Sequence, residues 1–278
     1  MKKLFDELSF QVSRETTRKY STSFSLGILA LRADIRPAIY AIYGFVRLAD
    51  EIVDSFHNYD KSTLIGRLRR QTEEAISEKI SINPILQSFQ ETVHQYQIEW
   101  ELIDTFLKSM EMDLQQVEYN RALYDQYILG SAEVVGLMCL HVFVHGNKTE
   151  YQRLKPYAMK LGAAFQKVNF LRDLKADFHI LGRTYFPNVN MQDFNCHTKA
   201  AIEQEIEQDF REALTGIRTL PACSKMGVYL AYTYYYTLFK KIRAIAPKEI
   251  IHQRIRINNT RKLSLMMSSY VQCKMALI

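Results

Sequence analysis

The 278-residue sequence predicts an all-α fold. Three observations predict it. Apolar residues recur at helical spacing almost from end to end. Gly (10) and Pro (6) are sparse, which leaves little material for tight turns or long linkers. No β-hairpin signal, internal repeat or low-complexity tract is legible.

The periodicity places helices near 6–20, 36–56, 61–79, 83–96, 99–118, 122–145, 150–179, 199–217, 224–245 and 248–271. Pro37 suits the start of the second helix, because its fixed φ matches the first helical turn. Asn83 in "SINP" reads as an N-cap and opens the fourth. Pro156 falls in the first turns of the long helix near 150–179. The clear irregular stretch is "LGRTYFPNVNMQDFNCHT", about 181–198. Residues 1–278 read as one helical domain, with the segments up to 20 and beyond 245 packing across its ends.

Composition narrows the function. Hydrophobic residues at 47% and charged residues at 24% supply an ordinary core. The net charge of +6 suits an anionic partner: nucleic acid, an anionic membrane or a phosphorylated substrate. The basic residues are dispersed, and "KK", "RLRR" and "TRK" read as solvated faces, so nucleic acid is not expected. Cys139, Cys196, Cys223 and Cys273 share no C-x-x-C spacing, which points away from zinc and disulfides and toward a reduced, cytoplasmic compartment. The N-terminus lacks the apolar run of a signal peptide. No uninterrupted apolar run of about 18 residues suggests a membrane span. "VVGLMCLHVFVHG" and "MGVYLAYTYYYTLF" read as buried helices.

Two stretches carry the chemistry. In "GFVRLADEIVDSFH" and the residues before it, Tyr43, Arg47, Asp50 and Asp54 fall within roughly 60° of a helix surface. Apolar residues occupy most of the remaining circle, with Glu51 the charged exception, just off the stripe. A helix apolar nearly all round is buried, so its narrow polar stripe faces an internal cavity. In "QKVNFLRDLKADF", Gln166, Asn169, Asp173 and Asp177 share roughly 80°. Each stripe sets two carboxylates one helical turn apart, where like charges repel. Either a hard divalent cation compensates them, or Arg47 and Arg172 do so in plain salt bridges. Spacing by itself leaves both readings open.

Several motifs in order resemble the phytoene synthase/squalene synthase family of head-to-head prenyl transferases. They are "YSTSFSLG" at 20–27, "YGFVRLADEIVD", "YILGSAEVVGLM" at 127–138, "QKVNFLRDLKAD" and "GRTYFP" at 182–187. The resemblance implies an isoprenoid-synthase helical bundle around a central cavity. It implies condensation of two prenyl diphosphates through a cyclopropylcarbinyl diphosphate intermediate. Asp50, Asp54, Asn169, Asp173 and Asp177 match metal-binding positions for Mg²⁺, with Mn²⁺ as a substitute. Tyr20, Ser21, Thr22, Ser23, Tyr43, Arg47, Gln166 and Arg172 match substrate-contacting positions, and Tyr235 and Arg254 are weaker matches. Tyr20 and Thr22 stand where some members carry His and a basic residue.

Physical chemistry agrees with that mechanism. Diphosphate leaves readily only when neutralised, and the resulting cation must be kept from water. Tyr43 and Tyr127 are the rings expected to face it. The particular expectation is a phytoene synthase acting on two geranylgeranyl diphosphates, with no NADPH. The alternative is a squalene or dehydrosqualene synthase acting on two farnesyl diphosphates. An insoluble hydrocarbon product predicts peripheral attachment to the inner face of a membrane. Gly130 and Gly136 read either as close-packing positions or as room for a polyprenyl chain. Asp113 reads as support for a site residue or as a surface acid, and Glu133 as a structural hydrogen-bond acceptor.

Overall fold

The computed structural model describes residues 1–115, 119–179, 185–187, 194–250 and 255–275, without the side chains of 175–179, 259, 261, 263 and 274. The described elements are helices: α1 (Lys2–Tyr20), α2 (Thr22–Leu29), α3 (Arg36–Ser55), α4 (Lys61–Glu78), α5 (Pro84–Tyr96), α6 (Trp100–Met112), α7 (Arg121–Ile128), a π segment (Leu129–Glu133), α8 (Val134–Phe143), α9 (Lys148–His179), α10 (Cys196–Arg218), α11 (Ala222–Arg243), α12 (Pro247–Ile250) and α13 (Asn259–Lys274).

Local chemistry sets the helix starts. Asn83 Oδ1 accepts from the Ile85 N–H at 3.0 Å with Pro84 next in line, as its sequence predicts. Asp60, Asn120 and Asn195 cap α4, α7 and α10 in the same way. Ser21 accepts from the Phe24 N–H at 3.2 Å and starts α2, a helix the periodicity did not predict. The turn at Ser21 separates α2 from α1 and lets it pack on α11.

The C-terminal region also departs from the expected single helix near 248–271. α12 and α13 are separate, and residues 255–258 between them are non-helical. Ile255 and Ile257 are buried while Arg256 is exposed, the alternation of extended backbone rather than of a helix. The expected helix near 122–145 is interrupted by the π segment, whose widened turn re-aims the side chains on either side of it. Pro156 lies two turns inside α9, because the helix begins at Lys148.

α1 packs along α3 and α5, α10 along α9, and α13 along α11. Two apolar clusters result. One is built mainly from α2–α6 and α8, with Phe45 stacked on Phe89 at 4.0 Å. The other is built mainly from α7–α11. Arg121–Phe143 has the length and apolarity to cross a bilayer, and half of its most apolar window is buried. Here the stretch packs between α6 and α9. A Cβ added to Gly130 would sit 2.8 Å from the Thr105 carbonyl on α6, so Gly130 serves close packing. Gly136 lines an internal cavity and also lies close to α9, where an added Cβ would sit 3.2 Å from the Ala158 carbonyl.

Candidate active site

A cavity of about 800 Å³ is lined from both clusters, with walls from α2, α3, α8, α9, α10 and α11. Its lining changes character along its length. Tyr20, Ser21, Arg47, Asp50, Asp54, Gln166, Asn169, Arg172 and Asp173 crowd one end. Leu31, Phe143, Leu154, Ile217 and Leu220 line the other. On α9 the lining runs from Asp173 to Leu154, about 28 Å at 1.5 Å per residue.

The α3 stripe forms as the helical wheel predicts, because α3 buries Ala41, Ile42, Phe45, Ala49, Ile52 and Val53 around the rest of its circumference. Tyr43, Arg47, Asp50 and Asp54 all reach the cavity. Arg47, however, turns to Glu51, with which its Nη2 makes a short charge-assisted bond, while its Nη1 stands 4.0 Å from Asp50. Glu51 is therefore the residue that holds Arg47, a role its place off the stripe concealed. Burial works against a charged Glu51, yet the Arg47 bond prevails and holds its carboxyl below the usual range. Asp50 goes the other way. Burial, then the nearby Asp54 charge, pushes it up to about 7. Its side chain keeps 33% of its surface accessible, and that surface faces the cavity deep inside the molecule.

On α9, Gln166, Asn169, Arg172 and Asp173 line the same end. Arg172 pairs with Asp173 at 2.5 and 3.1 Å. Asn169 Nδ2 donates weakly to Gln166 Oε1 at 3.4 Å, and its Oδ1 is buried with no hydrogen-bond partner among the described residues. The Asp177 side chain and Arg254 lie outside the described residues.

Aromatic groups fill the space between the stripes. The Arg47 guanidinium lies 4.3 Å over the Tyr20 ring. Tyr43 packs near Phe24, and burial pushes its hydroxyl up to about 12. Tyr235 is buried, stacks on Phe165 at 4.0 Å and also lines the cavity, as does its neighbour Tyr234, which the sequence reading missed. Tyr127 is buried and donates to Asp113 Oδ2 at 2.7 Å, and Tyr185 donates to Asp113 Oδ1 at 3.2 Å. Asp113 is thus no surface acid: it is 7% exposed and anchors two site tyrosines. The sequence carried no signal for that link, since 14 and 72 residues separate the partners.

One substrate-contacting expectation needs correction. Ser21 and Ser23 line the cavity, but Thr22 is exposed and its Oγ1 accepts from Lys262 at 3.0 Å. Because residues 22–29 form a helix, Thr22 points away from the side that carries Ser23.

The donor chemistry fits a hard cation. Asp50, Asp54 and Asp173 offer carboxylate oxygens, and Asn169 offers a buried amide oxygen that no described group satisfies. Among the described residues no three acidic, His or Cys side chains converge into a ready-made cluster. Such a set suits an ion that takes part of its coordination from elsewhere, as magnesium does with waters and substrate phosphates.

A helical bundle around a deep cavity, charged at one end and apolar at the other, places this chain in the class of all-α isoprenoid synthases. The fold matches a solved dehydrosqualene synthase with a TM-score of 0.79 and 21% identity, over 97% of this chain and 98% of that one. Residues 17–261 match the squalene/phytoene synthase family, and the chain belongs to that family of prenyl-transferring enzymes. It is 28% identical over 206 residues to 4,4'-diapophytoene synthase of Staphylococcus haemolyticus, covering 73% of this chain and 69% of that enzyme. It is 25% identical over 252 residues to the chloroplastic phytoene synthase 1 of Zea mays, covering 83% of this chain but only 60% of the plant protein.

Proposed function

We propose that this protein is a phytoene synthase. It joins two geranylgeranyl diphosphates head to head, with Mg²⁺ held by Asp50, Asp54, Asn169, Asp173 and Asp177, and residues 1–278 acting as one catalytic unit. The observation that carries this reading is the polarity gradient of the cavity: oxygen donors and two arginines at one end, and about 28 Å of increasingly apolar wall along α9 beneath them. Bound magnesium would supply neutralisation of the diphosphate leaving group.

The chain's own residues account for the rest. Arg172 and Arg47 donate to phosphate oxygens, exchanging their present carboxylate partners for the substrate. The rings of Tyr43 and Tyr127 face the allylic cation. Asp113 keeps the Tyr127 hydroxyl proton directed at its own carboxylate, which fixes that ring against the cavity. The apolar walls exclude water, so the cation rearranges rather than being captured as an alcohol. No reductant enters this scheme.

The similarity to a diapophytoene synthase and to a dehydrosqualene synthase fold supports a second reading, condensation of two farnesyl diphosphates. Incubating the purified protein and Mg²⁺ with each diphosphate, then reading product mass, decides between them. A forty-carbon hydrocarbon from geranylgeranyl diphosphate is expected. A thirty-carbon product from farnesyl diphosphate, with none from the longer substrate, would overturn the first reading.

The insoluble product requires delivery to a membrane, and we place the protein peripherally on the inner face. The net charge of +6 and the exposed Met267, Tyr270, Val271 and Met275 on and just after α13 support this. Vesicle sedimentation should show binding to anionic lipid; none would count against the placement.

A further inference from the structure

The apolar end of the cavity is closed where α9 and α10 meet. Leu154 and Tyr157 of α9, Ile217 of α10 and Leu220 just after it form this floor. Leu154, Ile217 and Leu220 are almost fully buried, whereas Tyr157 is only half-buried and stands between the cavity and the protein's outer face. On that outer face, one turn back along α9, Arg153 donates to the Thr219 carbonyl at 3.2 Å and to Thr219 Oγ1 at 3.0 Å. The ring is held from the α10 side. A Cβ on Gly216 would lie 2.8 Å from Tyr157 Cγ, so Tyr157 occupies the notch left by a missing side chain. Tyr157 is 16 residues from Asp173, about 24 Å along the helix.

We infer that Tyr157 is the stop that sets the longest prenyl chain this cavity admits. The inference rests on the proposed use of prenyl diphosphates and deepens it. A chain anchored by its diphosphate at the Asp50–Asp173 end grows toward the floor, and its terminal isoprene unit meets the Tyr157 ring. Removing that ring opens the cavity toward Arg153, while enlarging it shortens the cavity. The other floor residues set its shape without controlling its depth, because they belong to the buried core and have protein behind them.

The test measures binding of farnesyl, geranylgeranyl and geranylfarnesyl thiolodiphosphates with Mg²⁺ by calorimetry, alongside turnover of the corresponding diphosphates. Wild type, Tyr157→Ala and Tyr157→Trp are compared, with Tyr157→Leu in reserve should the alanine variant fail to fold. Tyr157→Ala or Tyr157→Leu should raise the geranylfarnesyl-to-farnesyl affinity ratio by about tenfold or more, since an added isoprene unit becomes buried. Tyr157→Trp should lower the geranylgeranyl-to-farnesyl ratio by about tenfold. Identical ratios in all folded variants overturn the stop. If the ratios shift while no variant turns over any diphosphate, the stop stands and the proposed function falls. If turnover is present but the ratios do not move, the stop falls and the function stands. If wild type binds none of the three probes, both fall.

Discussion

The two faces of α9 carry buried charge in opposite ways. Toward α10, Lys167 is sunk between Glu205 Oε1 at 2.5 Å and Asp209 Oδ2 at 2.6 Å. Lys160 adds a second bond to Asp209 at 3.0 Å, and Arg121 grips both Glu205 oxygens at 3.0 Å. Burial opposes a charged Glu205, but Arg121 and Lys167 prevail and hold its carboxyl below its ordinary range. Toward the cavity, burial wins: Asp50 across from α9 is pushed up to about 7, and Asn169 Oδ1 has no partner among the described residues. Burial of charge therefore does not by itself mark a site. The mark is that one face satisfies its own charges, whereas the other presents oxygen donors to a space large enough for a ligand.

The largest expected effect breaks the comparison if it fails. Asp50→Asn combined with Asp173→Asn should lower turnover by about 10³-fold or more while leaving circular dichroism and Tm close to wild type. Near wild-type turnover would make the cavity face another structural salt-bridge layer. On the opposite face the consequence should be stability. Lys167→Met leaves Asp209 to Lys160 and Glu205 to Arg121 and should cost about 1–3 kcal/mol in denaturant unfolding. An intact midpoint would show that the α10 seam is not held by this network.

Asp113→Asn sharpens the comparison from the cavity side. It weakens the grip on Tyr127 and Tyr185 and should reduce turnover about 10–100-fold, with KM changing far less than kcat. Equal changes in both would reassign Asp113 to substrate binding.

The smallest effect concerns Glu133, beside Lys160 and Lys167 on the α10-facing groove. Burial pushes its carboxyl up to about 7, against the pull of Lys167. A carboxyl raised on folding makes the folded state bind more protons than the unfolded one. Stability should therefore decline as pH rises from about 4.5 to about 7, and Glu133→Gln should flatten that decline. The gain above pH 7 should be about 1–2 kcal/mol, reduced from the full linkage value because the residue is partly exposed. A pH–stability curve unchanged by the substitution would show that Glu133 is already balanced by its lysines.

Much of the site was legible because helical period and burial are sequence properties. The arc shared by Tyr43, Arg47, Asp50 and Asp54 follows from 3.6 residues per turn, and the buried residues around it follow from composition. Arg47's partner was not legible, because Asp50 at i+3 and Glu51 at i+4 are both in reach and the rotamer decides. Thr22 was misplaced because α2 begins at a one-residue turn that periodicity alone does not reveal. The break before α13 was signalled by the alternation in "RIRIN", but a long helical expectation masked a short extended stretch.

Taken alone, the sequence determined an all-α chain with two helices that are apolar nearly all round and carry one narrow polar stripe each. Those are consequences of local periodicity and of the cost of burying charge without cause. Only the tertiary structure decided that the stripes line one cavity, that Asp113 reaches Tyr127 and Tyr185, and that Leu154, Tyr157, Ile217 and Leu220 meet at the apolar end. Each of these depends on contacts between segments distant in the chain. Such contacts are set by how whole helices pack, which no local pattern of residues records.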